Sequence, residues 1–298
     1  MRVAITGANG LLGGAAVALL SGRHEVLGVG RGPCRLPGGG FAWADADLGD
    51  GRSVEAALVA FRAEAVLHAG ALTDVDACER EPERAWRVNV GGTEQVARAC
   101  RALGARLVAV STDYVFDGSR GGYAEDDLPN PRGAYARTKR CGEEAALLVA
   151  PDAAVARVAV VYSGRPGAKT TFATQVVEKL SHGQVVNAFS DQVVTPTLAE
   201  NAAAMTAELL LEHDHRGVLH TAGATALTRV EFAQRVARRF GLTGEIRPVR
   251  TADVKLLAPR PLDSSLRVER AKAMLRAKPL AIDDALEEFF RQWRGRGA

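Results

Sequence analysis

Through the first half of the chain, short β-branched and aliphatic runs alternate with longer stretches whose apolar residues recur every three to four positions. Runs at 3–5, 25–29, 41–44, 65–68, 107–111 and 154–161 predict strands. Stretches at 11–20, 53–61, 82–103 and 134–148 predict helices. This alternation implies an α/β fold, a Rossmann-type doubly wound parallel sheet with helices on both faces. Right-handed crossovers then put a ligand at the carboxyl ends of the strands. After about residue 163 the pattern loosens. Helices are expected at 170–182, 198–213 and 229–240, extended pieces at 185–186 and 218–220, and a closing helix at 283–293. The segment 248–265, rich in Pro and basic residues, reads as loop.

The first expected strand breaks at Gly7 and a helix starts after Gly10, within Thr6-Gly-Ala-Asn-Gly-Leu-Leu-Gly13. That layout suits a dinucleotide pyrophosphate. Gly7 permits the tight turn, Gly10 lets the backbone approach the phosphates, and Gly13 lets the helix pack close on the strand. The expected organisation is a dinucleotide-binding domain over 1–162 and a smaller α/β substrate domain over 163–298. The extended piece near Val218 is expected to return to the first sheet. About 187–222 then rejoins the first domain, and the second is discontinuous.

A second pattern is Tyr135-Ala-Arg-Thr-Lys139. Residues four apart share a helix face, so Tyr135 and Lys139 point the same way. A free phenol has a pKa near 10. A nearby ammonium and a positive nicotinamide favour the phenolate, and a shift of about three units needs roughly 4 kcal/mol. A third is Ser111-Thr-Asp-Tyr-Val-Phe-Asp-Gly118, where a strand ends in small hydroxyl and acidic residues. Thr112 there is placed to hydrogen-bond a substrate carbonyl; the alternative is a hydroxyl-rich turn that merely caps the strand.

Composition narrows the choice mainly by exclusion. The 298 residues carry 47% hydrophobic and 24% charged side chains, as globular proteins do. A net charge of +3 is too small and dispersed for nucleic acid. The clusters Arg235-Val-Ala-Arg-Arg239 and 291–296 read as solvated helix faces and a frayed tail. Cys34, Cys78, Cys100 and Cys141 lack metal or disulfide spacing, so no metal site and reduced thiols are expected. No apolar run is long enough for a bilayer, Met1 leads straight into a strand, and a cytoplasmic location is expected without a leader or membrane partner.

Together these residues resemble the extended short-chain dehydrogenase/reductase superfamily and, more narrowly, the dTDP-4-dehydrorhamnose reductase family. The resemblance also takes in the loop Thr73-Asp-Val-Asp-Ala-Cys-Glu79, Arg87-Val-Asn-Val-Gly91, Asp191-Gln-Val-Val-Thr-Pro-Thr197 and Arg260-Pro-Leu-Asp-Ser-Ser265. It implies an NADPH-dependent reductase of a nucleotide-linked 4-keto-6-deoxy sugar. Thr112, Tyr135 and Lys139 would be catalytic. Tyr135 would donate a proton to the 4-keto oxygen, Lys139 would hold the nicotinamide ribose, and Thr112 would orient the carbonyl. Gly7, Asn9, Gly10, Leu11 and Leu12 would line the pyrophosphate. Asp47 and Leu48 would border the adenine, and Ala69, Gly70 and Ala71 would cover the cofactor. Thr73, Asp113, Tyr114, Gln192, Thr195 and Arg260 would face the sugar nucleotide, the arginine as a bidentate diphosphate partner.

Arg31 ends the second strand where an acid would bind the adenosine 2′-hydroxyl of NAD; no acid follows until Asp45. An arginine there accommodates a 2′-phosphate, which favours NADPH with NADH as the alternative, unless Arg31 is only a surface residue. The chain departs from the family at Val160, where a tryptophan usually stands near the sugar. It departs also at His68 for asparagine, at Val193-Val194 for a glycine-containing pair and at Val268 for aspartate. These changes bear on the sugar more than on the chemistry. An epimerase or dehydratase is one rival, although Thr112 is followed by Asp113-Tyr114 and not the Asp-Glu pair that dehydration uses. A dinucleotide-binding regulatory subunit, like that of methionine adenosyltransferase, is another. A homodimer stays open.

Overall fold

The computed structural model describes residues 1–295; Arg296, in the basic tail, and the end of the expected 163–298 domain lie outside it. The strands are β1 (Arg2–Thr6), β2 (Glu25–Gly30), β3 (Ala42–Asp45), β4 (Ala65–His68), β5 (Arg106–Thr112), β6 (Ala154–Val158) and β7 (Val161–Tyr162). They continue as β8 (Val186–Phe189), β9 (Val193–Val194), β10 (Thr197–Leu198), β11 (Gly217–His220), β12 (Leu227–Thr228) and β13 (Ile246–Val249). The helices are α1 (Leu11–Leu20), α2 (Gly51–Phe61), α3 (Val75–Arg80), α4 (Pro82–Trp86), α5 (Gly92–Leu103) and α6 (Gly133–Val149). After them come α7 (Phe172–Ser181), α8 (Ala199–Glu212), α9 (Arg229–Phe240), α10 (Glu269–Met274) and α11 (Ile282–Arg294).

Seven strands form one parallel sheet in the order β11-β6-β5-β4-β1-β2-β3. Alternation of side chains along each strand feeds two cores. Val3, Ile5, Ala65, Leu67 and Val108 face α1 and α8, while Ala4, Val66, Leu107 and Ala109 face α2, α5 and α6. Burying a residue such as Leu67 or Leu58 contributes roughly 1.5–3 kcal/mol. The sequence of α1, Leu-Leu-Gly-Gly-Ala-Ala-Val-Ala-Leu-Leu, is small enough to lie flat on Ala202, Ala203 and Met205 of α8. A third core joins α7, α9 and α11 around Tyr162, Phe232 and Phe289, with ring centroids 5.3 and 5.4 Å from Tyr162. The segment that returns to the sheet is α8 with β11, whereas β8 pairs with β13. Among the described residues no helix is long and apolar enough to cross a membrane.

Four elements differ from the sequence expectation. The helix over 82–103 is interrupted by a π turn at Arg87–Gly91. The expected loop over 73–79 contains α3, which Asp74 caps by accepting the Ala77 N–H at 2.8 Å. The strand expected over 154–161 breaks after Val158, because Val160 adopts φ 41°. The expected loop over 248–265 begins in β13, paired in parallel with β8. Its Arg247 and Pro248 hide the strand from an apolar pattern, and a two-stranded edge tolerates the proline.

Candidate active site

A cleft of about 600 Å³ runs along the carboxyl ends of β1, β2, β4, β5 and β6. One end is the β1–α1 turn. Gly7 sits there at φ 66°, and a Cβ would come within 2.6 Å of the Gly70 backbone. α1 starts at Gly10 with no side-chain cap, leaving its first N–H groups to whatever enters the cleft. These features fit a pyrophosphate: the turn admits no side chain and presents donors. Asn9 serves the turn indirectly. Its amide accepts the Arg35 N–H at 2.9 Å and donates to the Pro33 carbonyl at 3.1 Å, so it pins the loop that carries Arg31 and Arg35. Gly10, Leu11, Leu12, Arg31, Asp47, Leu48, Ala69, Gly70 and Ala71 all line the same end. Arg31 is 69% exposed and 3.7 Å from Asp47. Asp45 is occupied by the Gly32 N–H at 2.7 Å.

The wall beneath the cleft is held by a closed hydrogen-bond chain. The Gly70 N–H donates to the Thr6 hydroxyl at 3.3 Å, which donates to His68 Nδ1 at 2.7 Å. His68 Nε2 then donates to Thr93 at 3.0 Å, and Thr93 to the Asn89 carbonyl at 2.7 Å. The Thr93 and Gly70 bonds fix the tautomer, because they set the direction of every donor. Burial, with the Lys139 charge assisting, pushes His68 down to about 3, so it is neutral. Asn89 lies in the π turn. Its side chain takes the Leu72 N–H at 2.8 Å and donates to the Leu72 carbonyl and to Thr138, both at 3.1 Å. The turn therefore ties the loop after β4 to helix α6. A π turn is commonly found at functional sites.

At the middle of the cleft, Thr112, Tyr135 and Lys139 converge. Lys139 donates to the Val110 carbonyl at 2.8 Å. Burial pushes its ammonium down to about 8, and the Glu143 carboxylate opposes the shift. Thr112 donates to Asp113 at 3.1 Å and accepts the Tyr114 N–H at 3.2 Å. Burial raises Tyr135 above the phenol range, with Thr112 pulling the other way. Desolvation outweighs the Thr112 hydrogen bond, so in the protein alone the Tyr135 phenol keeps its proton. Asp113 is pushed up to about 6 by burial, against hydrogen bonds from Ser264 at 2.5 Å and from Thr112.

Toward the far end, Thr73, Asp113 and Tyr114 line the cleft; Gln192, Thr195 and Arg260 do not. Gln192 is buried behind Arg229, accepting its Nε–H at 3.2 Å and donating to Thr251 at 3.0 Å. Thr195 is 1% exposed. Arg260 pairs with Asp76 at 3.0 Å and donates to the Ala258 carbonyl at 2.9 Å. Besides Arg31 and Lys139, the cleft presents Arg35, Arg84, Lys169 and Arg229, which pattern reading missed. Arg229 lies over the Phe172 ring, 5.6 Å from its centroid, and its charge reaches Asp113 and Tyr114. The capping box Thr228-Arg-Val-Glu231 is a readable helix start, but nothing in it says where the start points.

The chain matches the family model described as RmlD substrate binding domain over residues 1–294. It is 37% identical over 273 residues to the dTDP-4-dehydrorhamnose reductase of Mycobacterium tuberculosis, covering 89% of the chain and 84% of the relative. It is 33% identical over 292 residues to the Haloferax volcanii protein named "Probable low-salt glycan biosynthesis reductase Agl14", covering 96% of each. Methionine adenosyltransferase 2 subunit beta of Rattus norvegicus is 30% identical over 272 residues, with 89% and 80% covered. A solved Sulfolobus tokodaii structure, titled hypothetical dTDP-4-dehydrorhamnose reductase, superposes with a TM-score of 0.86 at 35% identity, over 97% of this chain and 99% of that one. The Bacillus anthracis dTDP-4-dehydrorhamnose reductase in complex with NADP does so at 0.86 and 26%, over 98% and 99%. With one family spanning nearly its whole length, the chain belongs to the RmlD substrate binding domain family.

Proposed function

We propose that the protein is an NADPH-dependent reductase of a nucleotide-linked 4-keto-6-deoxy sugar. The observation that carries this reading is the convergence of Thr112, Tyr135 and Lys139 in one cleft with an uncapped, glycine-lined helix start. The relatives named dTDP-4-dehydrorhamnose reductase and the NADP complex of one of them support it. When bound, a reduced nicotinamide dinucleotide supplies hydride to the carbonyl carbon.

The residues of the chain do the rest. The Gly7–Leu12 turn and the first N–H groups of α1 hold the pyrophosphate, and Arg31 meets a 2′-phosphate. Thr112 orients the carbonyl oxygen. Tyr135 protonates that oxygen as charge develops on it; burial keeps the phenol protonated in the protein alone, so the proton is there to give. Lys139 holds the ribose hydroxyls and stabilises the phenolate left behind. Asp113, Tyr114 and Arg229 contact the sugar nucleotide. Arg229 takes the role expected of Arg260, because Arg229 lines the cleft whereas Arg260 does not and is paired to Asp76.

Replacing Tyr135 by Phe tests the assignment. Turnover should fall by about two to four orders of magnitude, the usual contribution of a positioned acid, with dinucleotide affinity nearly unchanged. A Phe variant that kept most of the rate would remove Tyr135 from the mechanism.

A further inference from the structure

The mechanism uses Tyr135 and Lys139 but leaves out Glu143, the next residue on the same face of α6. Glu143 is 2% exposed. Its carboxylate accepts two hydrogen bonds of 2.8 Å from Arg157 on β6 and one of 3.0 Å from Arg140. Arg157 is 1% exposed and its guanidinium lies on the Phe116 ring, 5.1 Å from the centroid, which fixes the pair in one geometry. A buried pair of this kind is weak evidence for stability, since apolar packing of equal volume often does as well. Its position asks for another account.

A small cavity of about 10 Å³ is lined by both Glu143 and Lys139, and also by His68, Thr93 and Ser111. That is about the room one water needs. The Ser111 hydroxyl lies beside the Glu143 carboxylate and, with Arg157 and Arg140, helps hold it ionised. Three polar groups thus surround a water-sized space. The charged and titratable groups around Lys139 are few. β4 presents His68, which is neutral; β6 presents Arg157, turned into Glu143; the turn after β5 presents Asp113, tied to Ser264. The helix itself presents Tyr135, Arg140 and Glu143. Of these, Glu143 is the one whose charge favours the ammonium.

We propose that Glu143, clamped by Arg157, is a positioning residue for Lys139: through a water in the shared cavity it keeps the ammonium charged and aimed at the Val110 carbonyl and the dinucleotide. The proposal rests on the reading of Lys139 as a catalytic residue. The measurement is the NADPH dissociation constant of the full chain as a function of pH, followed by nucleotide fluorescence. In the wild type, affinity should weaken as pH rises through about 8, where Lys139 loses its proton. Glu143→Gln should move that midpoint down by about one pH unit. Glu143→Asp should restore part of it. The double variant Glu143→Gln, Arg157→Gln leaves no unpaired buried ion and should move the midpoint the same way. Lys139→Met should abolish the pH dependence. If Lys139→Met keeps it, the catalytic reading of Lys139 falls and this proposal with it. If Lys139→Met abolishes it while the Gln variants keep the wild-type midpoint, even with a lower melting temperature, Glu143 is only part of a structural ion pair and this proposal alone is overturned.

Discussion

Val160 is β-branched and lines the cleft, yet its backbone has φ 41°, a region that costs such a side chain about 1–3 kcal/mol. Strain at a cleft wall is a reason to look for function there. Val160→Gly relieves the strain and should raise the melting temperature by about 2–4 °C for each kcal/mol recovered. A lower melting temperature would mean that Val160 packing outweighs the strain. Val160→Trp should alter the preference among 4-keto hexoses without altering the binding of free dTDP, and identical preferences would separate Val160 from the sugar. Arg31 belongs to the same scale. It is mostly exposed and only loosely held by Asp47, so it is available to a 2′-phosphate. Arg31→Asp should lower kcat/KM for NADPH relative to NADH, because a carboxylate repels the phosphate and can bond a 2′-hydroxyl. An unchanged ratio would take Arg31 out of cofactor choice.

Among the elements, the π turn at Arg87–Gly91 positions more of the site than any residue in it suggests from sequence. Asn89 satisfies both backbone groups of Leu72 and also Thr138. Asn89→Ala should cost roughly 1–3 kcal/mol for each buried partner left unsatisfied, read as a lower denaturation midpoint. It should also lower kcat more than it weakens the dinucleotide, since α6 carries Tyr135 and Lys139; a variant with normal stability and kcat would refute that tie. The sequence shows the apolar period over 82–103 but not the extra residue in the turn, because a π turn leaves the pattern nearly intact. For the same reason the sheet, α1 and the Tyr135–Lys139 register were legible: period and spacing alone determine them. Arg229, Gln192 and Arg260 were not. Each sits in a segment whose direction is set by tertiary packing, and Arg260 finds Asp76, 184 positions away in the chain, where no local rule reaches.

For the molecule as a whole, the cleft lies between the parallel sheet and the α7–α9 side of the third core. On the proposed function, the turn and helix start on the sheet side would serve the dinucleotide, and Phe172 and Arg229 the sugar nucleotide. Arg229→Ala should therefore raise KM for the sugar nucleotide about tenfold or more while leaving the NADPH dissociation constant unchanged. Equal weakening of both ligands would show that Arg229 holds the cleft together and does not recognise substrate.

The central claim is hydride transfer to a sugar carbonyl across this cleft, and isotope transfer tests it most directly. Purified protein is given NADPH deuterated at the transferable C4 position of the nicotinamide, together with dTDP-4-dehydrorhamnose, and the product is read by mass spectrometry and NMR. The account predicts one deuterium, at sugar C4, in the wild type and almost none over the same time with Tyr135→Phe. A product without deuterium at C4, or no turnover of any nucleotide-linked 4-keto-6-deoxy hexose by a protein that binds NADPH, would contradict it.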